Sequence, residues 1–373
     1  MKSETIKTNS RATTSAPPPR GPASSTPYTG AVRGWVVTAL FVLAVFYTLY
    51  LTRGLTLPIV LALLLHFLLR PVVRALQRVR VPVYLASALV VSALLGALGY
   101  AGYALSEPVA QWVQKAPQVV QQLEHKLRPI KEKVQEVDKA AAQVEKITKV
   151  EPPRTATVQV HNTSVRAMVW AHAEPLLTGT VVMFFLLYFL LATGERLIQR
   201  VADIAVTRAG AQRVLDITAG VERNVSGYLG SVTLINAGLG ACTAALTYAF
   251  GMPNPLLWGA LAMVLNFIPY LGSMVTLSVL TVVALLTFDT LSHALLVPAC
   301  FLVLATVEGQ VVTPLVLGRR LALNPVVVFL GLIFWGWLWG PAGALLAVPV
   351  LVTLKIICEH VRPLAAWSAL LGR

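Results

Sequence analysis

Apolar runs of about 20 residues, enough to cross a bilayer, recur along this chain with the charges gathered in the gaps between them. That pattern leaves few folds open. In hydrocarbon every backbone N–H and C=O must be paired within the protein, so only helices and closed barrels span it. The runs are continuous rather than alternating, which selects helices. Candidate spans cover 35–51, 55–69, 83–105, 176–192, 228–250, 255–270, 273–288 and 294–317, with a last run over 325–357. The second is short and contains Pro58.

Composition agrees. Only 12% of the residues are charged, against about 25% in a soluble domain. The net charge is +14. A basic chain can engage nucleic acid, but here the bases flank apolar runs, which reads as topology and lipid headgroups. Nucleic acid is therefore not an expected partner. Cys242, Cys300 and Cys358 lie in or beside apolar segments. Their spacing suggests neither a metal site nor a disulfide framework, and no metal or cofactor is expected. The chain has no Walker loop, no HExxH and no GxSxG, so neither an enzyme nor an ATP-driven pump is expected. Residues 1–32 are rich in Ser, Thr and Pro, too polar for a signal sequence, and read as a disordered tail.

Lys and Arg in short flanks set orientation. Lys2, Lys7, Arg11, Arg20 and Arg33 precede the first span against Glu4 alone. Arg70, Arg74, Arg78 and Arg80 fill the gap between the second and third spans with no acid among them. Both segments are expected in the cytoplasm. Residues 106–175 then fall on the far side, and the span over 176–193 returns to a cytoplasmic amphipathic segment over 194–227. The region 228–357 reads as a bundle with broken helices, and 358–373 as a cytoplasmic tail. Arg319 and Arg320, like Lys355, Arg362 and Arg373, look cytoplasmic. One span over 325–357 would part these clusters, and "GPAG" (Gly340 to Gly343) breaks the run. A re-entrant helical hairpin is the favoured reading, with a single kinked, tilted helix as the alternative.

The insert carries a heptad seam. Ala116, Val120, Leu123, Leu127, Ile130, Val134, Val137, Ala141 and Val144 recur at alternating steps of four and three. Such a helix packs on its own chain or the bilayer surface, or against copies of itself. Pro129 predicts a kink or two helices, and 151–165 reads as an extended linker.

Polar groups inside apolar spans are the functional candidates. Glu308, in "LATVEGQVVTP", is the acid of the late spans. It is suited to carry a proton, bind a cation, or pair with Arg319 or Arg320 around Gly309 and Pro314. Asn236 and Asn266 are suited to packing between helices or to lining a path beside broken helices. His66 reads as a span-end or packing residue, one turn from Arg70. In "NFIPYLG", Pro269 and Gly272 are poor residues for a buried helix, and a chain reversal is expected there. This break, "EGQVVTP" and "WGPAG" are expected to meet and bound a path.

The blocks "PIVLALLLHFLLRPVVRALQRVRVP", "GMPNPLLWGALAMVLNFIPYLG", "VEGQVVTPLVLGRRLALNP" and "WGWLWGPAGALLAVPVLVTLKI" resemble, in order and spacing, the autoinducer-2 exporter family of bacterial inner-membrane transporters. The resemblance covers roughly 35–363. It implies an all-α polytopic membrane protein with about eight transmembrane helices, an amphipathic insert after the third, and a homo-oligomer. It also implies secondary export of a small molecule or ion, such as autoinducer-2. Some members resemble this chain but exchange sodium or lithium for protons. Family motif positions fall on Asn266, Pro269 and Gly272; on Glu308, Pro314 and Gly318; and on Pro325, Gly340, Gly343 and Pro349. His66 stands where the family commonly has an aromatic. The expected function is export of a small polar molecule across the bacterial inner membrane, both termini cytoplasmic. The alternatives are a cation/proton antiporter and a non-transporting oligomeric scaffold.

Overall fold

The computed structural model describes residues 28–142, 165–204, 207–318 and 323–360. Among them the chain is almost wholly helical. The helix α1 (Tyr28–Leu51) belongs, up to Leu49, to a unit of its own, and the chain from Tyr50 on forms a second. α1 is 24 residues long and strongly apolar from Trp35 onward.

The second unit contains α2 (Arg53–Arg78), α3 (Val83–Ala142), α4 (Val165–Asp203), α5 (Arg208–Ala249), α6 (Pro255–Leu265), α7 (Leu271–Thr287), α8 (Leu291–Val307), α9 (Thr313–Leu317), α10 (Pro325–Trp339) and α11 (Pro341–His360). Among the described residues six helical stretches are long and apolar enough to cross a membrane: Arg53–Arg78, Val83–Lys115, Leu177–Asp203, Arg208–Ala249, Leu291–Leu317 and Pro341–His360. α6, α7 and α10 are shorter. Large apolar side chains such as Phe185, Phe189, Leu296 and Val303 are exposed, as a protein solvated by lipid requires.

Several elements differ from the sequence expectation. α2 runs through both Pro58 and Pro71 and is longer than the apolar run alone. Gly179 of α4 leaves room for Pro58: a Cβ there would sit 3.3 Å from the proline Cγ. α3 continues through Pro129 without interruption, so the third span and the start of the insert are one 60-residue helix. The expected linker over 151–165 lies almost wholly outside the described residues. "EGQVVTP" does not break the helix. α8 widens into a π-helical turn over Glu308–Val312 and resumes as α9, ending at Gly318 with φ 67°. The run over 325–357 is a hairpin and not one kinked helix. Gly340, at φ 66°, ends α10. A Cβ on Gly331 would strike Leu351, and one on Gly336 would approach Ala344. Those pairings run in opposite directions along the two helices, so α10 and α11 are antiparallel.

Two apolar cores among the described residues organise the second unit. Ala62 and Val73 of α2, Ala86 and Val90 of α3, and Met183, Leu187 and Leu191 of α4 build one. Trp258 and Ala262 of α6, Leu280 and Val283 of α7, and Val297 and Phe301 of α8 build the other. α5 touches both groups of helices. Its closest approach is to α6, where a Cβ on Gly240 would lie 2.7 Å from the carbonyl oxygen of Gly259. Close backbone approach through small residues is how helices gain packing energy without a hydrophobic drive from water.

Candidate functional site

The stretch "NFIPYLG" reverses the chain between α6 and α7. α6 ends at Leu265, with Asn266 closing it through a bond from its N–H to the Ala262 carbonyl. Pro269 cannot extend the helix. Tyr270 then takes φ 62° and ψ −53°, a conformation that costs a bulky L-residue strain. Gly272 allows α7 to start against the end of α6: a Cβ there would collide with the Leu265 carbonyl oxygen.

The turn presents Asn266 to α5. Asn266 Nδ2 donates to Asn236 Oδ1 at 2.9 Å, and Ser273 Oγ donates to Asn266 Oδ1 at 3.2 Å. This ladder joins α5, the turn and α7. Asn236 is 2% exposed, and its Nδ2 has no partner among the described residues.

A cavity of about 550 Å³ opens beside the ladder, bounded by α5, the α6–α7 turn, α8 with its π turn, α9 and α11. Asn236, Asn266, Pro269, Glu308 and Pro349 all line it. On the π turn, Thr313 Oγ1 donates to Glu308 Oε1 at 2.6 Å. The Thr313 N–H bonds the Glu308 carbonyl, the five-residue step that defines such a turn. π turns inside α-helices concentrate at functional sites. Among the described residues Glu308 forms no ion pair. Arg319 and Arg320, its expected charge partners, lie outside the described residues.

The remaining candidates separate. Gly272 supports the turn but does not line the cavity. Pro314 sits in the first turn of α9, Gly318 ends it, and Pro325 opens α10, where the Asn324 side chain accepts from the Val326 N–H at 2.9 Å. Gly340 and Gly343 stand at the α10–α11 hairpin, away from the cavity wall, so the third expected break does not line it. The lining residues Tyr228, Ser273, Gln310 and Thr313 went unremarked in the sequence. Ser273 lies seven positions after Asn266, and Gln310 and Thr313 lie within five of Glu308, so proximity to the polar residues was the available signal.

A second polar cluster ties α2, α4 and α5. Arg70, 3% exposed, pairs with Glu195 and, through Nε at 3.3 Å, with Glu222, and donates from an η nitrogen to the Leu191 carbonyl at 3.2 Å. Arg74 reaches Glu222 at 2.8 Å. His66 is buried one turn away, facing Gly194, and its Nδ1 has no partner among the described residues.

Long apolar helices, an outward apolar surface and a cavity holding a few polar side chains among interrupted helices define a multi-pass membrane protein with a small-molecule-sized site. The family model described as AI-2E family transporter matches residues 38–363, and this chain belongs to that family of bacterial membrane transporters. It is 32% identical over 307 residues to the AI-2 transport protein TqsA of Escherichia coli (strain K12), covering 81% of this chain and 85% of that one. It is 28% identical over 341 residues to the putative transport protein MT0215 of Mycobacterium tuberculosis, covering 88% and 89%. A shorter match, 35% over 150 residues, is to the putative transport protein YhhT of Escherichia coli (strain K12), covering 40% and 43%.

Proposed function

We propose that this chain exports a small polar molecule across the bacterial inner membrane by a secondary mechanism, through the cavity between α5, the α6–α7 turn and the π turn. The observation that carries this reading is the meeting of Asn236, Asn266 and Glu308 on the wall of one cavity. Polar groups at interrupted helices are where transporters place their substrates. Pro269, Gly272 and Pro314 shape the backbone around it, and Gly318, Pro325, Gly340, Gly343 and Pro349 serve as hinges. The autoinducer-2 type of signal, named for the Escherichia coli relative, is one member of this substrate class. Comparing metabolites in the medium of cells with and without the protein tests the reading. A compound enriched outside only when the protein is present is the expected result, and identical media would overturn it.

A second reading is exchange of sodium or lithium for protons, favoured by the lone Glu308 carboxylate on the cavity wall. It requires sodium-driven proton movement in vesicles that Glu308→Gln abolishes. An unchanged internal pH on adding sodium would exclude it. The termini are placed in the cytoplasm, and the heptad seam of the insert is assigned to self-assembly. Deleting 116–148 should dissociate the oligomer, read as the mass of the detergent-solubilised particle. An unchanged mass would remove that assignment.

A further inference from the structure

We infer that the cavity takes a small organic cation carrying an oxygen acceptor, with Glu308 meeting its charge and Asn236 its oxygen; this rests on the transporter reading of the same cavity. The wall charge is the first ground. Glu308 is the one charged residue among the described residues that line the cavity. Thr313 occupies Glu308 Oε1, and the other carboxylate oxygen has no hydrogen-bond partner among the described residues. An anion in this cavity would face that carboxylate, whereas an ammonium group would complete an ion pair.

The second ground is independent of charge. The amide ladder has a direction: Ser273 donates to Asn266, and Asn266 donates to Asn236. The Asn236 Nδ2 at its end is a buried donor without an acceptor among the described residues. Buried donors are rarely left so unless a water, ion or ligand completes them. An oxygen on the bound molecule supplies the missing acceptor.

Aromatic rings and size narrow the class further. Tyr228, Phe267 and Tyr270 contribute to the same wall, and ring faces attract cations. A volume of about 550 Å³ suits an organic molecule. It far exceeds a bare metal ion, and among the described residues no three His, Cys, Asp or Glu side chains gather to hold one.

Three probes with one carbon skeleton isolate the charge: ribitylamine, ribitol and ribonate. Binding to the full chain in detergent is measured by calorimetry, and efflux from liposomes containing it is followed in parallel. Ribitylamine should bind about tenfold more tightly than ribonate, with ribitol between. Glu308→Gln, which can still accept from Thr313, should bring ribitylamine within about twofold of ribitol. Asn236→Leu should weaken all three by about fivefold while preserving their order. Should that variant fail to fold, Asn236→Ala makes the same test. Absence of ribitylamine binding, a reversed order, or an order untouched by Glu308→Gln would overturn the inference. Charge-ordered binding without any efflux would uphold it and remove the transport reading. Efflux that favours ribitol or ribonate would do the opposite.

Discussion

At the residue scale, the α6–α7 turn shows how much one glycine and one tyrosine carry. Gly272→Ala places a methyl group against the Leu265 carbonyl, so the turn must shift. The expected loss is about 1–3 kcal/mol or more, read as a lower unfolding temperature in detergent. Tyr270→Gly should act the other way. Tyr270 is 76% exposed and left-handed, so removing its side chain relieves roughly 1 kcal/mol of strain at little cost in contacts. A fall in unfolding temperature would contradict that account. Asn266→Leu strands the Ser273 hydroxyl and the Asn236 carbonyl together and should destabilise by about 1–2 kcal/mol. Asn266, Pro269 and Gly272 were legible in the sequence because amides and helix breakers stand out in an apolar run. The strain at Tyr270 was not, since a tyrosine gives no sign of the dihedral its neighbours impose. The direction of the amide ladder was equally hidden, for it depends on two residues 30 positions apart.

At the scale of elements, helix α5 joins the two halves of the second unit. Glu222 lies about a third of the way along it and Asn236 lies nearly four turns further on. One stretch is therefore fixed to α2 and α4 by the Arg70 and Arg74 cluster, while a later one lines the cavity. Arg70→Leu should cost about 3 kcal/mol, the low end for a broken buried pair, because Arg74 still reaches Glu222. The double change Arg70→Leu with Glu222→Leu should recover much of that loss, and a double variant less stable than the single would refute the pairing. The sequence concealed this cluster. Arg70 and Arg74 read as cytoplasmic markers, and Glu222 falls in a stretch that reads as a cytoplasmic amphipathic segment. Both readings follow from counting charges, and only the approach of α2 to α5 reveals which charges are buried. The π turn was hidden for a related reason. Gly309 and Pro314 look like an interruption, but a helix accommodates them by widening one turn and keeping its backbone bonds.

At the scale of the whole molecule, the membrane character, the helical class and the hairpin over 325–357 could all be read from apolar runs and glycine-proline breaks. The lengths of helices could not. Hydropathy ends where charges begin, and helical hydrogen bonding does not, so α3 and α5 extend well past their apolar cores. The proposed orientation makes a direct prediction: a cysteine at Arg78, in a chain whose native cysteines are replaced, should react with an impermeant thiol reagent from the cytoplasmic side and not the other. Labelling from the opposite face would invert the topology. The 60-residue helix α3 carries one more consequence. At 1.5 Å per residue it is about 90 Å long, three times the thickness of the hydrocarbon. Its span and its outlying arm belong to one continuous helix. A tilt of about 5° at the membrane, within the range by which helices adjust to bilayer thickness, would swing the far end by about 8 Å. Lipid thickness would thus be geared to the position of a point far outside the bilayer, to the extent that the helix keeps its line through Pro108, Pro117 and Pro129.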